Sequence, residues 1–112
     1  MEESILISIK ELLGVSENDD SFDTDIIIHI NSVFMFLKRM GVGPTNGFRI
    51  TGPGDIWSDF IENDCEDFEC VKTYVYLKTR LVFDPPASST TLQTMKELIN
   101  ELEWSLNIVA ES

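Results

Sequence analysis

The sequence predicts an all-α fold, a small bundle of about four helices. Three observations carry that prediction. Apolar residues recur at helical spacing in four separate segments. A glycine or a proline pair stands directly after three of them, at Gly14, Gly41 and Pro85–Pro86. The other glycines gather in one stretch, Gly41 to Ile56, which leaves the periodic segments free of them. The 112 residues suit a single domain, 1–112, and with 43% apolar residues they bury one core without disulfides or a structural metal.

The first helix is expected from Glu3 to Leu13. Ile5, Ile9 and Leu12 recur on one side, Leu6 and Leu13 widen the stripe, and Gly14 supplies the left-handed stop. The polar stretch "VSENDDSFD" then turns the chain, and Ser21 or Asp23 is the expected cap of the second helix. That helix runs from Asp23 to Met40. Ile26, Ile30, Val33, Leu37 and Met40 form its main stripe, and Lys38 and Arg39 complement the dipole in its last turn. Ile27, Ile28, Phe34 and Phe36 place apolar surface on its other sides. A helix apolar nearly all round is either central in its bundle or packed against another subunit.

Gly41 to Ile56 reads as a long Gly/Pro-rich loop between the second and third helices, with "TNGF" and "FRIT" as a short β-hairpin within it. Such a loop suits a segment that orders on docking. "WSDFIEND" adds a helical turn around Trp57 and Phe60. The third helix is "VKTYVYLKTRLVFDPP". Cys70, Tyr74, Leu77 and Leu81 form one stripe, and Phe68, Val71, Val75 and Val82 form another beside it. Lys78 falls between the two, where it must snorkel or find a buried carboxylate. Lys72, Arg80 and Tyr76 lie opposite, and the basic residues are expected to pair with nearby acids. Pro85 and Pro86 end the helix. The last helix opens at Ser88 or Ser89 and carries Leu92, Met95, Ile99, Leu102, Leu106 and Val109, with Trp104 and Ile108 on its other side.

A net charge of −12 opposes binding to free nucleic acid, because phosphate contacts need Lys and Arg to displace counterions. Cys65 and Cys70 lie about 140° apart on one helix and do not bond to each other there, so free thiols are expected. The Met-Glu-Glu start has no basic leader, and the run Ile26 to Leu37 is too short to span a bilayer, so a protein away from membranes is expected. The single histidine, His29, has no cysteine at zinc-finger spacing. The glycines fit neither a P-loop nor a dinucleotide fingerprint. "SENDDSFDTD" lacks the glycine and glutamate of an EF-hand. No catalytic, metal or cofactor site is therefore expected, and the protein is not expected to be an enzyme. Excess apolar helix surface points instead to a partner. The candidate interface residues are Phe36, Phe48, Arg49, Trp57, Trp104 and Ile108, with Lys78, Pro85 and Pro86 in structural roles.

The stretches "SILISIKELLG", "FDTDIIIHINSVFMFLKRMGVGP", "VKTYVYLKTRLVFDPP" and "LINELEWSLN" together resemble the head-tail connector (adaptor) proteins of tailed bacteriophages and prophages. The likeness covers nearly the whole chain, and the third stretch with its DPP end is its most specific part. It implies a structural virion protein that binds the portal protein above and a stopper or tail-completion protein below. It also implies self-association into a ring, on the portal or before it, that extends the channel for genomic DNA without binding that DNA specifically. It places the protein at the head-tail interface of the virion, and in the host cytoplasm during assembly. The alternative is a DNA-packaging accessory or regulatory protein that binds terminase or DNA. The likeness assigns no catalytic residue.

Overall fold

The computed structural model of the chain describes residues 3–44, 46–60 and 67–111, with side chains over 68–107 in the last of these. Its helices are α1 (Ile5–Leu13), α2 (Asp23–Arg39), α3 (Trp57–Phe60), α4 (Asp67–Phe83) and α5 (Ser89–Glu111). The all-α prediction holds, with the turn around Trp57 as a short fifth helix.

Local chemistry sets the boundaries. Ser4 caps α1 by accepting the Ile7 N–H at 3.2 Å, so the helix begins two residues later than periodicity alone indicated. Both α1 and α2 end on the same device. Gly14 and Gly41 take positive φ, and the next residue's N–H reaches back to the last turn: Val15 to the Lys10 carbonyl and Val42 to the Leu37 carbonyl, each at 2.9 Å. The start of α2 differs from expectation. Phe22 holds the cap position and no side chain caps the helix. Ser21 bonds to Asp19 within the loop, and Asp23 directs its charge at Lys10. At the end of α4 the Asp84 N–H makes the last helical bond, to the Arg80 carbonyl at 2.9 Å; Pro85 and Pro86 have no N–H to continue the ladder. Ser88 caps α5, accepting the Thr91 N–H at 3.3 Å.

The central helix is α4, which packs against α1, α2 and α5. The molecule measures 38 × 35 × 20 Å, so it is about two helices deep, since packed helix axes lie roughly 8–10 Å apart. Ile5, Leu6 and Ile9 of α1 meet Ile26, Ile30, Val33, Phe34 and Leu37 of α2 and Phe68, Val71, Tyr74, Val75 and Leu77 of α4 in one core. Met95, Ile99 and Leu106 of α5 join it from the other side of α4. Two expected core positions fail. Leu12, expected on the α1 stripe with Ile5 and Ile9, is exposed. Val82 is exposed, because Phe83 closes that end of α4 by packing edge-on against Phe22 at 5.5 Å.

Two buried polar arrangements tie elements together. Lys10 is fully enclosed, and its Nζ donates to the Asp19 carbonyl at 2.7 Å and the Glu17 carbonyl at 3.3 Å. The same Nζ lies 2.7 Å from Asp23 Oδ1, so one cation holds the α1–α2 loop to the start of α2. Between α4 and α5, the buried Tyr74 hydroxyl donates to Glu103 Oε2 at 2.8 Å. Burial first, and the bonded carboxylate second, push the Tyr74 phenol well above its ordinary pKa.

Among the described residues no hairpin forms: 46–51 hold no strand, Thr45 of the expected turn lies outside the described residues, and the one isolated bridge joins Ser4 to Ile56. The reason is Asn31 of α2. Its side-chain amide accepts the Ile50 N–H at 2.7 Å and donates to the Ile50 carbonyl at 3.0 Å, taking the groups a partner strand would use. The loop is also anchored further on. Asp55 accepts the Thr51 N–H at 2.8 Å, and its carbonyl accepts the Ile5 N–H at 3.0 Å. A segment held at Ile50, Asp55 and Trp57 is part of the fold before any docking.

Candidate docking surfaces

The surplus apolar surface of α2 stays outside. Ile28, Ser32, Met35 and Arg39 succeed one another along its outer face, opposite Ile26, Ile30, Val33 and Leu37. Met35 is 59% exposed, and Phe36 beside it is also exposed. Being apolar nearly all round thus did not make α2 the central helix; α4 holds that place.

The loop brings two further residues to this face. Gly43 takes φ +92°, and a Cβ there would sit 2.5 Å from Phe60 Cε1, so only glycine lets the chain turn this close to α3. Phe48 then lies edge-on to Phe34 at 5.2 Å and 5.4 Å from Phe60, half-buried. Its neighbour Arg49 is exposed. Phe48, Arg49, Lys38 and Met35 line one open hollow, and Met35, Phe36, Ser32 and Arg39 line a second. Met35 is common to both, so the predicted Phe36, Phe48 and Arg49 share one continuous surface.

That surface is cationic. Of the chain's eight basic residues, Lys10 and Lys72 pair with Asp23 and Glu3, the latter at 2.6 Å. Lys38, Arg39, Arg49 and Lys78 have no carboxylate within ion-pair distance among the described residues. The place of Lys78 is settled by an aromatic ring: its Nζ lies 4.7 Å from the Phe36 centroid, and the Arg39 guanidinium lies 5.8 Å from the same ring. The expectation that nearby acids would pair with the α4 cations is met among the described residues only at Lys72, and there by a distant acid. Lys72 reaches Glu3 at the other end of the sequence, and Arg80 donates to the Tyr76 hydroxyl at 3.0 Å.

The family model for phage connector proteins matches residues 5–112 of this chain. The chain belongs to the phage connector protein family. No curated protein and no solved structure matches it. A connector's role is structural, so the residues of interest are those its surface offers to partners.

Of the connector's remaining candidate residues, Trp104 is 69% exposed on α5 and lines a shallow hollow with Asn100, Glu101 and Ser105. Trp57 requires correction. It is 0% exposed, and its indole N–H donates to the buried Ser8 hydroxyl at 2.8 Å, so it has no surface to offer a partner. Trp57 belongs to the core because the loop returns to α1, where its backbone N–H meets the Glu3 carbonyl at 3.2 Å. The side chain of Ile108 lies outside the described residues. Met35, Lys38 and Arg39 were not among the predicted interface residues. The signal for Met35 and Arg39 is the second stripe Ile28–Ser32–Met35–Arg39, which the stronger inner stripe masks; Lys38 lies beside that stripe and carries no such signal. Among the described residues no helix is long and apolar enough to cross a membrane.

Proposed function

We propose that this connector is an adaptor at the head-tail interface of a phage virion. It binds the portal protein on one side and a stopper or tail-completion protein on the other, and its copies form a ring that extends the DNA channel. It performs no chemistry of its own. The family match over residues 5–112 carries this reading. Two features of the chain support it. Exposed apolar residues gather on α2 and at Trp104, as contact surfaces between proteins require. A net charge of −12 keeps passing DNA from adhering.

Cross-linking and mass spectrometry of purified particles test the proposal. The connector is expected in mature virions with cross-links to the portal. Its absence from mature particles, together with recovery bound to terminase or DNA in infected cells, would favour a packaging accessory instead.

A further inference from the structure

We infer that the cationic, apolar face of α2 docks the acidic, Trp104-bearing face of α5 on a second copy of this chain, head to tail. The inference rests on the proposed self-assembly and names the two faces that meet in it.

The two faces are complementary in kind. On α2, Met35 and Phe36 are exposed among Lys38, Arg39, Arg49 and Lys78. On α5, Glu97, Glu101 and Trp104 recur at helical spacing, all three exposed and turned away from Met95, Ile99 and Leu106, which face α4. One side thus offers an apolar hollow with a cationic rim, and the other an aromatic anchor with an acidic rim. An apolar centre within a polar rim is the usual anatomy of a protein interface, and tryptophan is the residue type most enriched among its anchors.

The two faces belong to different helices, each of which uses its other side to pack on α4. A contact between two different patches of one chain is heterologous. It repeats from copy to copy and closes into a ring when the rotation allows. Charge narrows the choice of surface further. Copies that each carry −12 repel at a distance, so they approach most favourably where the sign reverses. Four of the eight basic residues lie around the outer face of α2. Their arrangement also favours protein over nucleic acid: Lys78 and Arg39 flank the Phe36 ring, as the rim of an apolar contact does.

Isotope-mixed cross-linking tests this directly. Light and heavy-nitrogen chains are mixed at high concentration, alone and with portal rings, and coupled with a zero-length carboxyl–amine reagent. Links between isotopes are expected from Lys38 or Lys78 to Glu97 or Glu101. Reversing either face, Lys38→Glu with Arg39→Glu or Glu97→Lys with Glu101→Lys, is expected to weaken association about tenfold or more. Mixing the two reversed variants restores it, because each retains the face that the other has lost. All four positions are exposed, so both variants are expected to keep the wild-type thermal midpoint; if one does not fold, the paired Gln substitutions replace it. Assembly that both reversals leave intact overturns the assignment of faces while sparing the self-assembly reading. A wild-type chain that stays monomeric, alone and on portal rings, removes that reading and the inference with it. Duplex DNA binding that Lys38→Glu with Arg39→Glu abolishes gives the cationic face to DNA and overturns the inference.

Discussion

Asn31 holds the loop at Ile50 through two hydrogen bonds, and Ile50 itself is fully buried. Asn31→Ala leaves both backbone groups without their partner in a dry setting. It is expected to lower stability by about 1–3 kcal/mol, read from urea unfolding. Thr79 presents the opposite case. It is fully buried in α4, and its hydroxyl has no hydrogen-bond partner among the described residues. Thr79→Val keeps the shape and removes the unpaired group, so it is expected to raise stability by about 1 kcal/mol in the same assay. Neither residue announces itself in the sequence. An asparagine inside an apolar helix and a threonine in a run of β-formers have unremarkable compositions, and their roles depend on what the fold places opposite them.

The α4–α5 contact carries a pH signature at the level of elements. Tyr74 donates to Glu103, and its folded pKa is raised above the ordinary phenol value of about 10. The unfolded chain therefore loses this proton at lower pH than the folded one. The contribution is complete below about pH 10 and is lost as pH rises toward the folded value, at up to about 1.4 kcal/mol per pH unit. Tyr74→Phe removes this slope. Urea midpoints of the two proteins are expected to differ less at pH 11 than at pH 8; curves that stay parallel would show that the phenol does not titrate differently on folding. The boundaries of these elements were legible because single residues make them: Gly14, Gly41, Ser88 and the proline pair each act through their own backbone or side chain. The hairpin was misread because its signal, Asn46–Gly47 beside "FRIT", describes a local preference. A tertiary bond from α2 overrode it.

The two tryptophans separate folding from assembly across the whole molecule. Trp57→Ala opens a cavity and removes the indole N–H that Ser8 accepts, leaving the Ser8 hydroxyl its bond to the Ile5 carbonyl, so it is expected to cost about 3–5 kcal/mol of stability. Trp104→Ala is expected to change monomer stability by no more than about 0.5 kcal/mol while weakening assembly, read from thermal melts beside sedimentation. A Trp104→Ala monomer that melts early yet assembles normally would place that side chain in the core. Both were read from sequence as interface residues, and the sequence has no means of telling them apart. Each is a large aromatic beside acidic and small residues. The sequence by itself determined the helical class, the glycine and proline ends of α1, α2 and α4, and the inward stripes of α2 and α5, because periodicity and end-chemistry are properties of neighbouring residues. It also carried the family likeness, which is written in those same stripes. Only the tertiary structure decided that α4 is central, that the loop closes over α1, and that Met35, Phe36, Phe48, Arg49 and Lys78 form one cationic surface. These depend on which surfaces exclude water together. That is settled by packing between segments far apart in the chain, and no local pattern records it.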